Sequence, residues 1–386
     1  MMNCGVPLRK DCDGRSNPAQ KEIKGTVKQT MKVTVIGGGN IGTLMAAEMS
    51  AKGHEVTVYT SKPEKWNREI EVYDPQDRLI LTGEMDKITS NMQEAVCDAT
   101  IIWITMPAQT FLELEGKLLP YVKRGQYIGV VPGSGGAEFA FRQLINEGCV
   151  LFGLQRVHSI ARLKEYGKSV YMLGRKNLLE IGAIPADASV KVGTILEQMF
   201  DMPCISLPNY LSVTLTPSNP ILHTTRLYSM FKDYSPNVVY VRNFLFYEEW
   251  DVESAEWLIA CDRELQALCG VIPLELKEVK SLQEYYESYD AEAMAKKLKS
   301  IKAFKGLTSP MKQTEQGWIP DFDSRYFVAD FPYGLKIIKD IAKLFNVSTP
   351  HIDEVWMWYK NVMVHSEMPV FELNICNRDE FIRLYS

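Results

Sequence analysis

Residues 33–60 read V-T-V-I-G-G-G-N-I-G-T-L-M-A-A-E-M-S-A-K-G-H-E-V-T-V-Y-T, and no other stretch limits the possible folds so tightly. A β-branched run, Val33 to Ile36, ends in Gly37-x-Gly39-x-x-Gly42. An Ala- and Met-rich helical segment follows, then Gly53, then a second β-branched run from Glu55 to Tyr59. Strand, glycine turn, helix and strand in this order are the start of a dinucleotide-binding unit. Gly37 permits the sharp turn, Gly39 lets backbone approach a pyrophosphate, and Gly42 lets helix pack on strand. The free N–H groups of the helix start, around Asn40 and Ile41, supply the positive end that holds a diphosphate. A glycine triplet without this flanking pattern would carry little weight.

The end of the second strand selects the cofactor. An acid there would bind both ribose hydroxyls and select NAD. This chain has Tyr59-Thr60-Ser61-Lys62-Pro63-Glu64-Lys65-Trp66, with Glu64 several residues late. Ser61, Lys62 and Lys65 offer a hydroxyl and two ammonium groups to a 2′-phosphate. NADP is therefore expected, with NAD possible if the lysines are only a solvated turn. The expected cofactor contacts are Gly37, Gly39, Asn40, Ile41, Gly42, Thr60, Ser61, Lys62, Lys65 and Pro107, the last at the end of a later strand.

With 386 residues the chain has room for two domains. A net charge of −5 argues against nucleic acid or an anionic membrane as partner. No run approaches the roughly 18 apolar residues of a membrane span. Residues 1–30 lack an apolar signal core and read as a disordered or loosely attached extension, with Met31 a candidate start. Eight cysteines form no C-x-x-C pair, so reduced thiols and a cytoplasmic location are expected. Five scattered histidines have no metal-ligand spacing, and no metal is expected.

From residue 70 the pattern keeps alternating. Residues 70–83 read as a hairpin around Asp74-Pro75, and 89–97 as a short helix. Strands follow at Ala99 to Thr105, Tyr127 to Val131 and Val150 to Leu154, with helices at Phe111 to Val122 and Ala137 to Asn146. The segment 151–206 adds the last strands and a helix around 190–200. This predicts an α/β fold, a Rossmann-type doubly wound, mostly parallel sheet over 31–206. Ligands bind such sheets at the carboxyl ends of the strands, where Pro107 and Gly133-Ser134-Gly135-Gly136 fall. From Leu207 to residue 386 glycine is sparse and helical periodicity dominates, at 238–250, 252–269, 274–289, 290–301, 333–345 and 351–364. A mainly α-helical second domain is predicted, its many aromatics read as core.

Two islands interrupt that periodicity: Pro217 to Arg226, and Pro320 to Leu335. If Asn219 caps a helix, His223 lies one turn on along the same face. A histidine beside a carboxylate has a fixed tautomer and suits proton donation near neutral pH. Arg325 offers a planar fork matched to a substrate carboxylate. A helical histidine that merely satisfies a neighbouring carbonyl is the commoner case, and the residues alone leave both readings open.

Six stretches together resemble the opine dehydrogenases, the octopine/nopaline dehydrogenase family, over about residues 31 to 365. They are G-G-G-N-I-G at the turn, T-S-K-P-E-K-W after the second strand, G-S-G-G-A-E-F at 133–139, E-Y-G-K-S-V at 165–170, N-P-I-L-H-T at 219–224 and R-Y-F-V-A-D-F-P-Y-G-L at 325–335. The resemblance implies reductive condensation of an α-keto acid, such as pyruvate, with the amine of an amino acid, through an imine reduced by NAD(P)H. It also implies that His223 pairs with Asp330 as the proton donor. Asn219 would help hold the carbonyl or imine, Arg325 would grip the keto-acid carboxylate, and Arg162 would serve the amino-acid side. The chain departs from the family at Ala329, where an acid is frequent. It also departs at Q-R-V-H-S-I-A-R over 155–162, where octopine-type enzymes carry a Pro-Trp-x-Cys-Arg run. His158 there reads as packing or substrate tuning, and the amino donor stays open.

Two other readings compete. One is a simple 2-keto or 2-hydroxy acid oxidoreductase of the ketopantoate reductase or 6-phosphogluconate dehydrogenase type. Those relatives usually work through a lysine of the helical domain, for which Lys277, Lys280 and Lys305 are the candidates. The other is a cofactor-binding protein without catalysis, which would have no need of a proton donor. Oligomeric state is not legible.

Overall fold

The computed structural model describes residues 30–364, 370–375 and 377–385. The expected N-terminal extension lies outside the described residues apart from Thr30. An eight-stranded sheet forms the first half of the chain. In chain order its strands are β1 (Lys32–Ile36), β2 (Glu55–Tyr59), β5 (Lys87–Thr89), β6 (Ile101–Ile104), β7 (Tyr127–Val130), β8 (Val150–Leu154), β11 (Leu179–Ile184) and β12 (Cys204–Ser206). Across the sheet they run β12-β11-β8-β7-β6-β1-β2-β5. All neighbours from β5 to β8 are parallel, and β11 alone pairs antiparallel, with β8. Strands β6 and β7 are buried at every position, as continuous apolar runs must be when helices cover both faces. Trp103 of β6 lies edge-on to Phe152 and Phe200, with ring centroids 4.9 and 5.9 Å away. Strand order reverses between β1 and β6, so a crevice opens at their carboxyl ends. Thr105 Oγ1 donates to the carbonyls of Ile36 and Gly37, both at 3.1 Å, and ties the two ends together.

A second, four-stranded sheet was not foreseen. The expected hairpin exists as β3 (Glu69–Tyr73) and β4 (Leu79–Glu84). It is joined by β9 (Ser159–Glu165) and β10 (Ser169–Arg175) in the order β4-β3-β10-β9, so those two strands leave the main sheet. The sheet packs on α1 (Asn40–Ala51), the helix that follows the glycine turn. Contact is so close that a Cβ on Gly83 would sit 2.5 Å from the carbonyl of Ala47. Behind α1, buried Glu48 pairs with His158 Nε2 at 2.6 Å and with the Arg175 guanidinium. Burial pushes the Glu48 carboxyl up, but His158 and Arg175 together outweigh it and hold it below its ordinary value. His158 thus anchors α1, in line with its reading as packing.

After β12 the chain is largely helical, with long helices at Val252–Val271, Ala291–Ser300, Lys336–Phe345 and Pro350–Val362. Two expected helices do not form as read. Residues 238–250 are irregular, bridged at Tyr240 to Trp318 and at Leu245 to Thr308. Buried Arg226 holds this segment open by donating to the carbonyls of Phe246, at 3.2 Å, and Glu249, at 2.8 Å. Between 274 and 289 only Leu282–Tyr285 is helical. An unforeseen hairpin, β13 (Met311–Thr314) with β14 (Gly317–Pro320), supplies the bridge to Tyr240. One apolar cluster runs from the sheet face, at Ile104 and Val130, into the helices at Ile221, Phe331 and Ile338. The two halves therefore share a core. No helix among the described residues is long and apolar enough to cross a membrane.

Candidate active site

The glycine turn has the shape a pyrophosphate needs. Gly37 has φ +113°, which an L side chain rarely adopts, whereas a Cβ on Gly39 would meet nothing within 4 Å. Helix α1 opens with no side-chain cap and no acid in its first turn, so its first N–H groups face open space. These residues fit a dinucleotide diphosphate. The side-chain oxygen of Asn40 accepts from Leu163 N at 2.8 Å, which ties the start of α1 to β9. Ile41 leans on the core behind the turn, and Pro107 is exposed at the end of β6.

At the end of β2, Ser61, Lys62 and Lys65 are exposed. A cavity of about 560 Å³ opens there, lined by Lys62, Glu64, Lys65 and Asn67 on one side and by Glu165, Tyr166 and Lys168 of the β9–β10 turn on the other. Lys168 is paired with Glu165, which leaves Lys62 and Lys65 as the cations without a salt-bridge partner among the described residues. Thr60 is buried, and its hydroxyl meets Tyr166 Oη at 2.9 Å, so it fixes the wall of this cavity. Tyr166 itself was missed in the sequence; the E-Y-G-K-S-V stretch was the available signal.

The two islands of the second half meet. Ser218–His223 is a wide helical turn, and Tyr326–Leu335 is a similar segment broken at Tyr333, where Pro332 interrupts the ladder. They touch at Gly334, where a Cβ would be 3.1 Å from the Pro220 ring. His223 Nδ1 lies 2.8 Å from Asp330 Oδ2, both residues 6% exposed. His223 Nε2 lies 3.1 Å from Tyr247 Oη. The imidazole is enclosed by Phe246 and Tyr326, with ring centroids 5.6 and 4.7 Å away. Segment 326–335 packs against Ala108–Thr110, directly after β6, so the segment that carries Asp330 lies at the carboxyl ends of the sheet.

Arg325 is half-exposed, 4.0 Å from the other Asp330 oxygen and 5.5 Å from the Tyr326 ring. Arg162, on β9 of the first half, is exposed and near enough for its charge to reach Tyr326. Burial pushes the Tyr326 hydroxyl up, and Arg325 and Arg162 temper that rise. Two guanidinium groups, one from each half of the chain, thus act on one tyrosine. Asn219 is partly buried, next to Ser218, whose hydroxyl accepts from Arg156 at 3.2 Å. Tyr247, Tyr326 and Arg156 went unnoticed in the sequence, the first inside a stretch misread as helix. Among the described residues no group of histidine, cysteine and acid is arranged to hold a metal.

Glu138, in G-S-G-G-A-E-F, is wholly buried behind the glycine loop. It accepts from Tyr385 Oη at 2.9 Å and pairs with the Thr214 hydroxyl. Burial pushes its carboxyl from 4.5 up to about 7. A folded value above the unfolded one means folding takes up a proton. Its contribution to stability is complete below about pH 4.5 and lost as pH rises through about 7. The shift corresponds to about 3 kcal/mol. Asp262, pushed up to about 6 by burial, acts in the same direction. Glu138→Gln, which mimics the protonated acid, is expected to flatten the fall in stability between pH 4.5 and 7. Denaturant melts across that range check it, and an unchanged slope in the variant refutes it.

A glycine turn at a switch point, a lysine-edged cavity beside it and a buried His–Asp pair in the second half are the parts of a nicotinamide-dependent dehydrogenase. Residues 206–363 match the family model of the NAD/NADP octopine/nopaline dehydrogenase α-helical domain. Residues 32–136 match that of the NAD-dependent glycerol-3-phosphate dehydrogenase N-terminus. Octopine dehydrogenase of Mizuhopecten yessoensis is 26% identical, over 85% of this chain and 89% of its own. Tauropine dehydrogenase of Arabella iricolor is 27% identical, over 86% and 91%. A solved octopine dehydrogenase, with NADH and L-arginine, superposes with a TM-score of 0.77 at 24% identity, over 87% of this chain and 90% of that one. The helical half of the chain thus matches the octopine/nopaline dehydrogenase model, and most of its length is similar to octopine and tauropine dehydrogenases.

Proposed function

We propose that the chain joins an α-keto acid to the amine of an amino acid and reduces the resulting imine to a secondary-amine dicarboxylic acid. The observation that carries this reading is the buried His223–Asp330 pair, at 2.8 Å, in a segment that packs beside the end of β6. Asp330 accepts from Nδ1–H, so only Nε2 can serve the substrate. As the amine adds to the keto carbon, the carbonyl electron pair moves to oxygen, which takes a proton from Nε2. The added nitrogen, now cationic, returns a proton to Nε2, and the same imidazolium passes it to the hydroxyl, which leaves as water while the freed nitrogen lone pair closes the C=N bond. A nicotinamide held by the glycine turn would supply the hydride for the imine carbon. Arg325 pairs with the keto-acid carboxylate, and Arg162 stands across from it for the amino acid's carboxylate. Asn219 offers its amide to the carbonyl. Solved octopine dehydrogenases hold small molecules of these two classes, pyruvate in one and L-arginine in another, and a third holds the amine agmatine.

The alternative lysine-based chemistry gains no support. Lys277, Lys280 and Lys305 are all exposed, whereas the histidine pair is buried. The test is NAD(P)H oxidation with a panel of keto acids, each with and without amino acids. Turnover that needs both components supports the condensation; turnover with keto acid alone favours a simple keto-acid reductase. Binding without turnover favours a non-catalytic cofactor protein.

NADP is the proposed cofactor, because Lys62 and Lys65 edge the cavity at the end of β2. Ser61→Asp with Lys62→Ala is expected to move the ratio of kcat/KM values at least about tenfold toward NADH, the worth of one charge-assisted contact. Unchanged selectivity removes the argument.

A further inference from the structure

We propose that Tyr247 is a second proton-bearing donor at the reacting oxygen, a catalytic residue working beside His223. The inference rests on the reading of His223 as proton donor.

Asp330 occupies Nδ1, and Tyr247 Oη stands 3.1 Å from Nε2, at the one ring position left for substrate. In the neutral dyad, Nδ1–H donates to Asp330 and the Nε2 lone pair accepts the Tyr247 hydroxyl. Among the described residues, that nitrogen is the only hydrogen-bond partner of Oη. The tyrosine ring has little freedom to leave. It stacks on Phe304 at 4.0 Å and on Trp250 at 6.1 Å, both with 19° between planes. Phe246 meets it edge-on at 5.0 Å. Burial holds the hydroxyl well above its ordinary pKa, and the neighbouring Tyr326, Tyr286 and Asp330 push the same way against Arg325. Tyr247 therefore stays a neutral O–H donor across the working range.

Protonating Nε2 changes this arrangement. The imidazolium N–H then points at Oη, and the phenolic proton loses its acceptor in a buried site, which is costly. A substrate carbonyl oxygen resolves the conflict. Two donors 3.1 Å apart can both reach a single oxygen at about 2.8 Å. As the amine adds and charge gathers on that oxygen, Nε2–H transfers its proton while Tyr247 O–H donates throughout and keeps its own. Fixed donors aimed at developing charge are the arrangement that lowers such barriers most. In the unliganded site the tyrosine oxygen thus stands near the place of the substrate oxygen.

The test is Tyr247→Phe in the full chain, which keeps the stacked ring and removes only the hydroxyl. Loss of one such donor lowers kcat by about 10²-fold, with NAD(P)H affinity unchanged. The limb of the rate–pH profile set by the imidazole moves to higher pH, since the neutral ring loses the O–H that stabilised its lone pair. Incorporation of 3-fluorotyrosine at 247, a stronger donor, moves that limb the opposite way. In the unliganded protein, the ¹⁵N resonance of Nε2 moves toward the free, unbonded value in Tyr247→Phe. A rate within threefold of wild type, with limb and resonance unmoved, overturns the assignment. If His223→Gln is dead while Tyr247→Phe is unaffected, the tyrosine alone is wrong. If His223→Gln keeps its rate, the dyad chemistry itself fails, and the ¹⁵N shift then reports only the contact.

Discussion

His223→Gln is expected to lower kcat/KM for the condensation by about 10³-fold or more, with NAD(P)H bound as in wild type. Glutamine fills similar space and its amide can still donate to Asp330, so the core around Phe246 and Tyr326 should survive. What it lacks is a nitrogen that exchanges a proton near neutral pH. A positioned acid is worth about 10² to 10⁴ in rate, and both carbonyl addition and water loss need one here. Asp330→Asn probes the same pair from its other side. An asparagine amide permits the wrong histidine tautomer, with the lone pair on Nδ1 and the proton fixed on Nε2, and the rate should fall although His223 remains and the pair stays hydrogen-bonded. Cofactor fluorescence titration and steady-state rates, measured on the same preparations, separate binding from chemistry. Retention of most of the rate in His223→Gln would sink the mechanism.

The parts of this molecule that are local in sequence were legible, and the parts that depend on distant contacts were not. The glycine turn is local: Gly37, Gly39 and Gly42 meet demands set by a few neighbouring residues, so their spacing reveals the unit. The strands β6, β7 and β8 announce themselves as apolar runs for the same reason. The second sheet does not, because β3 pairs with β10 about a hundred residues later, and nothing in the alternation of 159–175 says which sheet it joins. The 238–250 segment was misread because its aromatics fit a helical period, while the deciding partners, Arg226 and the Trp318 strand, lie elsewhere. The histidine–aspartate pair spans 107 positions. Spacing alone left His223 open between proton donor and ordinary helical histidine, and only the resemblance paired it with Asp330. Tyr247 carried no motif at all and emerges only from its place against Nε2.

Two alanine substitutions in one turn should fail for different reasons. A Cβ on Gly42 would lie 1.9 Å from the Gly37 carbonyl oxygen and 2.6 Å from Thr105 Oγ1. The first of these is backbone, so no side chain can step aside. Helix α1 must lift off β1, which strains the core on which the second sheet rests and breaks the Thr105 link to β6. Overpacking of this kind costs about 3 kcal/mol, so Gly42→Ala should melt markedly earlier and bind NAD(P)H poorly. Gly39 differs: its φ of −81° suits any residue, and its Cβ would meet nothing. Gly39→Ala should fold and melt like wild type. Its methyl nevertheless enters the space through which backbone reaches the pyrophosphate, so NAD(P)H affinity should fall by about tenfold or more, as 1.4 kcal/mol of steric cost requires. Thermal melts paired with cofactor titrations separate the two. If Gly39→Ala binds normally, the diphosphate does not lie on this turn, and the hydride donor would have to be sought away from the strand ends beside the Asp330 segment.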